Sequence, residues 1–98
     1  MNNKYFTIIT FYQFKIIKDK KDIITKLKHF CKFNKIKGTI LIADEGINGT
    51  IAGLEKNINS FIPFLENFSF EKLNLKRSKY KYMPFQKLKI RNKNEIVT

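Results

Sequence analysis

The spacing of apolar side chains changes twice in the first third of the chain. Residues 5–14, YFTIITFYQF, are β-branched or aromatic at both odd and even positions, which is typical of a strand in the interior of a sheet. Residues 20–34 instead repeat apolar side chains every three or four positions, with lysines on the opposite side. We therefore predict a first strand over 5–14 and an amphipathic helix over 20–34, with Asp19 or Asp22 as its N-cap.

A glycine-containing hairpin is predicted next. Residues 37–43, KGTILIA, form the pattern of a second strand, and residues 49–53, GTIAG, form a very short third strand. The five residues between them, DEGIN, predict the loop of a hairpin. We expect Gly46 and Asn48 to adopt positive φ there, because glycine has no Cβ and asparagine tolerates the left-handed region.

The second half of the chain predicts one more helix and one more strand, followed by an extension. Apolar side chains at helical spacing predict a helix over 55–67, and Pro63 is expected to kink or end it. Alternation over 71–79 predicts the fourth strand. Alternation resumes over 86–98, where leucine and isoleucine point inward and lysine and arginine point outward.

The resulting order, β-α-β-β-α-β, predicts an α+β ferredoxin-like sandwich over residues 1–98 as a single domain. Its antiparallel sheet carries two helices on one face, so the other face is left without a helix. Because the first strand is apolar on both sides, we expect that free face to pack against another domain, another copy of the chain, or a stacked base.

Charge suggests the type of partner. The chain of 98 residues has 20 lysines and arginines against 8 acidic residues, a formal net charge of +12. Such a surface favours a polyanion, RNA or DNA, because binding releases condensed counterions. A compositional drift towards A/T-rich codons, which favour lysine, is the alternative, since only two of the basic residues, Arg77 and Arg91, are arginines. The position of the charge along the chain must decide between them.

The basic residues are concentrated in the C-terminal third, where tyrosines are interleaved with them. Lysine and arginine contact phosphates, and exposed tyrosines stack on unpaired bases. The predicted RNA-binding residues are Lys76, Arg77, Lys79, Tyr80, Tyr82, Lys87, Lys89 and Arg91. The tyrosines could instead close the core at the end of the sheet, as we expect of Phe85. A standard RRM is disfavoured, because the predicted third strand has no aromatic residue.

Catalytic groups are scarce. His29 is the only histidine and Cys31 the only cysteine, so no catalytic triad, metal site or disulfide framework can be assembled. Cys31 lies on the apolar stripe of the first helix, where we expect a buried hydrophobe, and the glycines precede no helix that could bind phosphate. Asp44 and Glu45 are neighbours that point to opposite sides. We therefore predict no catalytic residue, metal or cofactor in this chain, no membrane span and a cytoplasmic location.

Two segments together resemble a known family. Residues 38–53, GTILIADEGINGTIAG, and residues 83–98, MPFQKLKIRNKNEIVT, are similar to the N-terminal domain of the YceA-like rhodanese-domain tRNA uridine hydroxylases. The resemblance covers nearly the whole chain and includes the KLKIR sequence at 87–91. The residues that match the hairpin motif of the family are Glu45, Gly46, Asn48 and Gly49.

This resemblance implies an acylphosphatase-like domain that precedes a rhodanese domain, which is expected downstream and is not contained in residues 1–98. It also implies an oxidoreductase that converts the wobble uridine of certain tRNAs to 5-hydroxyuridine, with molecular oxygen as co-substrate of the full-length protein. The functional cysteine of the family belongs to the rhodanese domain, so Cys31 does not take its role. The chain alone is not expected to be active.

The leading hypothesis is an accessory domain that positions tRNA for modification, with tRNA and a rhodanese domain, in cis or in trans, as partners. The alternative is a structural module whose free sheet face docks a rhodanese domain or another copy without touching RNA. An acylphosphatase activity suggested by the fold alone has less support. It requires an arginine-bearing loop after the first strand, and KIIKDKKD has no arginine.

Overall fold

The computed structural model describes residues 5–93. Seven elements follow one another along this part of the chain. They are β1 (Phe6–Phe14), α1 (Lys20–Phe33), β2 (Lys37–Ala43), β3 (Gly46–Leu54), α2 (Glu55–Glu66), β4 (Asn74–Tyr80) and β5 (Leu88–Asn92). The last five residues of the predicted C-terminal extension, 94–98, lie outside the described residues.

The five strands form one sheet in the order β4-β1-β3-β2-β5. The first four strands in this order pair antiparallel, while β5 pairs parallel to β2. The predicted ferredoxin-like α+β sandwich is therefore confirmed. The fifth strand is an addition that makes the sheet mixed, and it comes from the segment that the sequence marked as an extension.

Both helices pack against the same side of the sheet. Alternate residues of the inner strands are buried there, and they form one hydrophobic cluster with the buried faces of α1 and α2. The Phe11 ring of β1 contacts the Phe61 ring of α2, with ring centroids 5.4 Å apart. Cys31 of α1 is fully buried in this cluster, as its position on the apolar stripe predicts.

The ends of the helices follow from local side chains. The Asp19 carboxylate caps α1 by accepting a hydrogen bond from the Asp22 N–H at 3.4 Å, as predicted. At the other end the Asn34 side-chain amide donates to the Phe30 carbonyl at 2.9 Å. Pro63 does not end α2, which continues to Glu66.

The predicted hairpin loop is shorter in the structure. Strand β3 begins at Gly46, so that Asp44 and Glu45 alone form the turn. The predicted five-residue loop and very short third strand are wrong, and so is the positive φ at Gly46 and Asn48. Within residues 5–93 positive φ occurs at Gly38, Lys35 and Ser69.

Gly46 and Gly49 serve close packing instead. A Cβ at Gly46 would lie 2.5 Å from the Gln13 carbonyl oxygen, and one at Gly49 would lie 2.7 Å from the Thr39 carbonyl oxygen and 2.9 Å from the Phe11 ring. Neighbouring strands and a core ring therefore occupy the space of the missing side chains.

Candidate nucleic-acid interface

The side of the sheet opposite the helices is uncovered within residues 5–93, and we call it the uncovered face. Strand register assigns residues to it, because cross-strand partners point to the same side. It comprises Phe6, Ile8, Thr10, Tyr12 and Phe14 of β1; Lys37, Thr39, Leu41 and Ala43 of β2; Gly46, Asn48, Thr50, Ala52 and Leu54 of β3; Asn74, Lys76, Ser78 and Tyr80 of β4; and Lys89 and Arg91 of β5.

A polar row crosses all five strands of this face. In order of strand position its residues are Lys76, Thr10, Thr50, Thr39 and Lys89. The hydroxyls of Thr10 and Thr50 lie 3.2 Å apart and share a hydrogen bond. Because neighbouring strands are about 4.8 Å apart, the row spans roughly 19 Å. Three hydroxyls are thus bounded by an ammonium group at each edge of the sheet.

An aromatic pair lies beside this row. Tyr12 and Phe14 are 47% and 68% exposed, and their ring centroids are 5.9 Å apart in an edge-to-face arrangement. Phe14 is paired with Gly46, which has no side chain to fill the space next to the ring. The pair and the threonines line a concavity of about 450 Å³.

A second depression of about 390 Å³ continues from the first at the β5 edge. Its lining includes Thr39, which both depressions share, together with Phe85, Lys87 and Lys89. Phe85 is half-buried there, partly as expected of a residue that closes the end of the sheet. The two depressions are therefore neighbours that meet at Thr39, one beside the aromatic pair and the other beside the lysines.

The charge of the uncovered face is entirely positive over the strand residues that the structure describes. Its charged members are Lys37, Lys76, Lys89 and Arg91. The nearest acidic residues in sequence, Asp44 and Glu45, lie on the hairpin turn, where Asp44 forms an ion pair with Lys20 of α1 at 2.8 Å. With no carboxylate between them, the cations of this face attract an anion together.

The structure divides the predicted RNA-binding residues between the two sides of the sheet. Lys76, Tyr80, Lys89 and Arg91 lie on the uncovered face, and Lys87 lines its second depression. Tyr82, between β4 and β5, is 69% exposed, with its ring centroid 6.3 Å from that of Tyr80.

Arg77 and Lys79 lie on the helix side of β4. The Arg77 guanidinium donates to the Asn59 side-chain oxygen of α2 at 2.9 Å, and the Lys79 ammonium forms an ion pair with Glu55 at 3.4 Å. Both residues thus connect the edge strand to α2, and they are separated by the sheet from Lys76, Lys89 and Arg91.

The family hairpin motif contributes alternate residues to the uncovered face. Gly46 and Asn48 lie on that face, Gly49 faces the core, and Glu45 is exposed on the turn. Sequence reasoning did not connect the motif with Tyr12 and Phe14. The sequence contained one indication that these two rings share a face, because the even-numbered side of β1 ends in two aromatic residues.

The structure brings no catalytic constellation together in the part of the chain that it describes. Residues 5–93 contain no group of three His, Cys, Asp or Glu side chains that could hold a metal ion. Burial raises the pKa of Cys31 to about 12, so the thiol is protonated at neutral pH. Over the same residues no helix has the length and hydropathy that crossing a bilayer requires.

The fold and this surface define a class of protein: a ferredoxin-like domain that presents a polar, aromatic and cationic sheet face. The chain belongs to the UPF0176 acylphosphatase-like domain family, whose profile matches residues 6–96. This match confirms the resemblance that the two sequence motifs indicate.

Curated relatives share this similarity over most of the chain. A tRNA uridine(34) hydroxylase of Wolbachia sp. subsp. Brugia malayi is 43% identical over 93 residues, which are 94% of this chain and 35% of the relative. Proteins of the same name from Bradyrhizobium diazoefficiens and Acinetobacter baumannii are 39% and 40% identical, over 99% and 93% of this chain. The chain spans 40% and 29% of the length of these two relatives.

Solved structures agree with the fold. Full-length HypF in its phosphate- and nucleotide-bound form matches 96% of this chain with a TM-score of 0.64 and 15% identity, over 13% of its own chain. The dark state of the BLUF protein BlrB matches 91% of this chain with a TM-score of 0.64 and 12% identity, over 73% of its own chain. At these identities the likeness concerns the fold alone.

Proposed function

We propose that this chain is the tRNA-positioning domain of a tRNA uridine(34) hydroxylase and binds tRNA through its uncovered face. The names of the curated relatives support the substrate. The observation that carries the proposal is the electrostatics of the face, on which three lysines and one arginine occur among the described strand residues without a carboxylate. Cations arranged in this way bind a phosphate backbone by releasing its counterions.

In this proposal the chemistry takes place outside residues 1–98. The oxidation of the wobble uridine by molecular oxygen belongs to a rhodanese domain, joined to this domain or bound to it, in the cytoplasm. The present chain needs no cofactor of its own for its task. It holds the tRNA by its phosphates, and such contacts fix position and orientation.

Charge reversal on the uncovered face tests this role. The combined variant Lys76→Glu, Lys89→Glu and Arg91→Glu is compared with Lys21→Glu, Lys28→Glu and Lys32→Glu, which makes the same charge change on exposed positions of α1. We expect the face variant to bind tRNA at least tenfold more weakly than the α1 variant at about 100 mM salt. Its affinity should also fall less steeply with salt, because each lost phosphate contact removes about 0.7–0.9 from the slope of log K against log salt.

Binding is measured by fluorescence anisotropy at several salt concentrations, with circular dichroism to establish that both variants fold. Equal losses in the two variants would reject the uncovered face as the tRNA site, since they would mean that tRNA responds only to net charge.

Docking of a protein domain is the competing function for the same surface. The exposure of Tyr12 and Phe14 favours it, because apolar rings on a sheet face are also typical of protein interfaces. It predicts self-association or binding to a rhodanese domain in sedimentation velocity. It further predicts that tRNA binding is the same in the face variant and the α1 variant.

A further inference from the structure

Building on the proposed function, we infer that the uncovered face binds an unpaired RNA segment of two or three nucleotides. Bases stack on Tyr12 and Phe14, and the phosphates reach the lysines and arginine at the two sheet edges. An RNA strand whose bases are free therefore fits the face, and a duplex does not.

The exposed rings of the uncovered face favour unpaired RNA. Tyr12 and Phe14 present their rings to solvent within the concavity. In a double helix the bases are stacked on one another and cannot lie on a protein ring, whereas unpaired bases can be splayed out onto aromatic side chains. The edge-to-face contact between the rings, with centroids 5.9 Å apart, holds both of them in a defined orientation before binding.

Polar groups next to the rings can recognise base edges. Asn48 and Asn74 are the cross-strand partners of Tyr12 on its two sides. No hydrogen bond among residues 5–93 involves either asparagine side chain. A side-chain amide offers both donors and an acceptor, so these two can pair with a base that lies on Tyr12.

The width of the face sets the length of the segment. The row from Lys76 to Lys89 spans roughly 19 Å across five strands. A four-stranded RRM sheet stacks two or three bases, and this face is of similar width. It differs from an RRM because both rings lie on β1, while β3 contributes Asn48 and Thr50. The hydroxyls of Thr10, Thr50 and Thr39 then lie where the 2′-hydroxyls and base edges of the segment pass.

Charge favours RNA over a second copy of this chain. Two uncovered faces brought together would place Lys76, Lys89 and Arg91 opposite like charges, which is destabilising at an interface. A polyanion neutralises the same three groups. An acidic protein could do so as well, and competition by polyglutamate distinguishes it from RNA.

The test compares a single-stranded RNA hexamer with a hairpin duplex of matched composition, by fluorescence anisotropy with this chain. We expect the single strand to bind at least fivefold more tightly. Tyr12→Ala should weaken single-strand binding about 5- to 100-fold, as loss of a stacked base does, and leave duplex binding within twofold. Tyr12→Phe should retain the affinity, because the ring remains.

Phe33→Ala is the matched control, because Phe33 is a highly exposed aromatic residue on α1, away from the uncovered face. It should change neither affinity. Phe14→Ala provides a second variant in case Tyr12→Ala does not fold, and it should also weaken binding of the single strand selectively.

Three results would overturn the inference: equal affinity for duplex and single strand, no selective loss in both Tyr12→Ala and Phe14→Ala, or displacement of the RNA by polyglutamate at the same charge concentration. Displacement by polyglutamate would identify a surface for acidic proteins.

The proposed function fails separately, when charge reversal of Lys76, Lys89 and Arg91 lowers tRNA affinity no more than charge reversal on α1. If that reversal matters while the ring variants do not, the tRNA site stands and the stacking inference is rejected.

Discussion

At the residue scale, Gly49 connects the hairpin motif with the hydrophobic core. It lies on the core side of β3, paired with Phe11 of β1 and Ile40 of β2. The Phe11 ring occupies the position where a side chain would begin, and this placement lets the ring reach Phe61. The glycine therefore serves packing between strand and helix.

We predict that Gly49→Ala destabilises the fold by about 1–3 kcal/mol, the range for overpacking a core. The new Cβ would lie 2.7 Å from a backbone oxygen and 2.9 Å from a buried ring, and neither can move away freely. Urea unfolding followed by circular dichroism measures the loss.

Gly53→Ala is the control, because its Cβ would meet no atom closer than 3.3 Å. It should stay within about 1 kcal/mol of the unchanged chain, since alanine also restricts the unfolded state. If the two variants unfolded at the same urea concentration, the packing explanation for Gly49 would be wrong.

Positions Gly46 and Asn48 show why the hairpin was predicted incorrectly. Glycine and asparagine are turn residues in isolation, so the sequence favoured a loop of five residues. In the structure both residues are in β3, and at Gly46 the requirement for small size comes from Gln13 and Phe14 of the neighbouring strand. That requirement is set by a contact between strands far apart in sequence, which no local pattern contains.

At the element scale, the strands and helices with a clear period were predicted within a residue or two. This holds for α1, where the periodic apolar side chains are also the buried ones. It also holds for β1 and β2, although these were recognised as runs of β-branched and other apolar residues and not by a period. The parallel pairing of β5 with β2 was not predicted, because it depends on where the segment between β4 and β5 carries the chain. Local periodicity identifies a strand, while its partner is fixed by tertiary structure.

Strand β4 contains a signal that the sequence interpretation did not use. Alternation places Leu75, Arg77 and Lys79 on one side of a strand and Lys76 on the other. An apolar residue of a strand in a two-layer sandwich points to the core, so Leu75 indicates that Arg77 and Lys79, on the same side of the strand, lie towards the helices. The structure places them there, in contact with Asn59 and Glu55.

Helix α2 contains a proline whose replacement should stabilise the fold. Pro63 lies within the helix and is exposed, and a proline there removes one backbone hydrogen bond and crowds the preceding turn. We expect Pro63→Ala to raise the free energy of unfolding by about 1–3 kcal/mol, because alanine restores the N–H donor and has a much higher helix propensity.

Thermal and urea unfolding would measure this gain. Ser60→Ala on an exposed position of the same helix is the control and should change stability by less than about 0.5 kcal/mol. A loss of stability in Pro63→Ala would show that the proline contributes a packing contact that outweighs its effect on the helix.

At the scale of the whole molecule, charge opposes folding and favours binding. The chain has a formal net charge of +12, and the described residues form three ion pairs, Lys20–Asp44, Lys26–Asp22 and Lys79–Glu55, which leave this excess of positive charge unchanged. The two exposed pairs, Lys26–Asp22 and Lys79–Glu55, contribute up to about 1 kcal/mol each. A polyanion that neutralises the remaining cations would remove their mutual repulsion, so the proposed binding surface is also a source of instability in the free chain.

We therefore predict that salt has opposite effects on stability and on tRNA binding. Raising NaCl from about 20 to 300 mM shortens the screening distance to less than 10 Å, and the melting temperature of the free chain should rise by a few degrees. A gain of 1 kcal/mol corresponds to about 4–8 °C in a domain of this size. Over the same range tRNA affinity should fall, because the release of counterions is less favourable in free energy when the salt concentration is high.

Melting curves by circular dichroism and anisotropy titrations in the same buffers measure the two quantities. The α1 variant with Lys21→Glu, Lys28→Glu and Lys32→Glu separates net charge from the binding surface, since each substitution lowers the formal charge of +12 by two units. Its melting temperature should depend less on salt than that of the unchanged chain, while its tRNA affinity should retain a steep salt dependence. A melting temperature that falls with salt in the unchanged chain would mean that the attraction within the three ion pairs outweighs the repulsion among the cations. The cations of the uncovered face would then not destabilise the free chain.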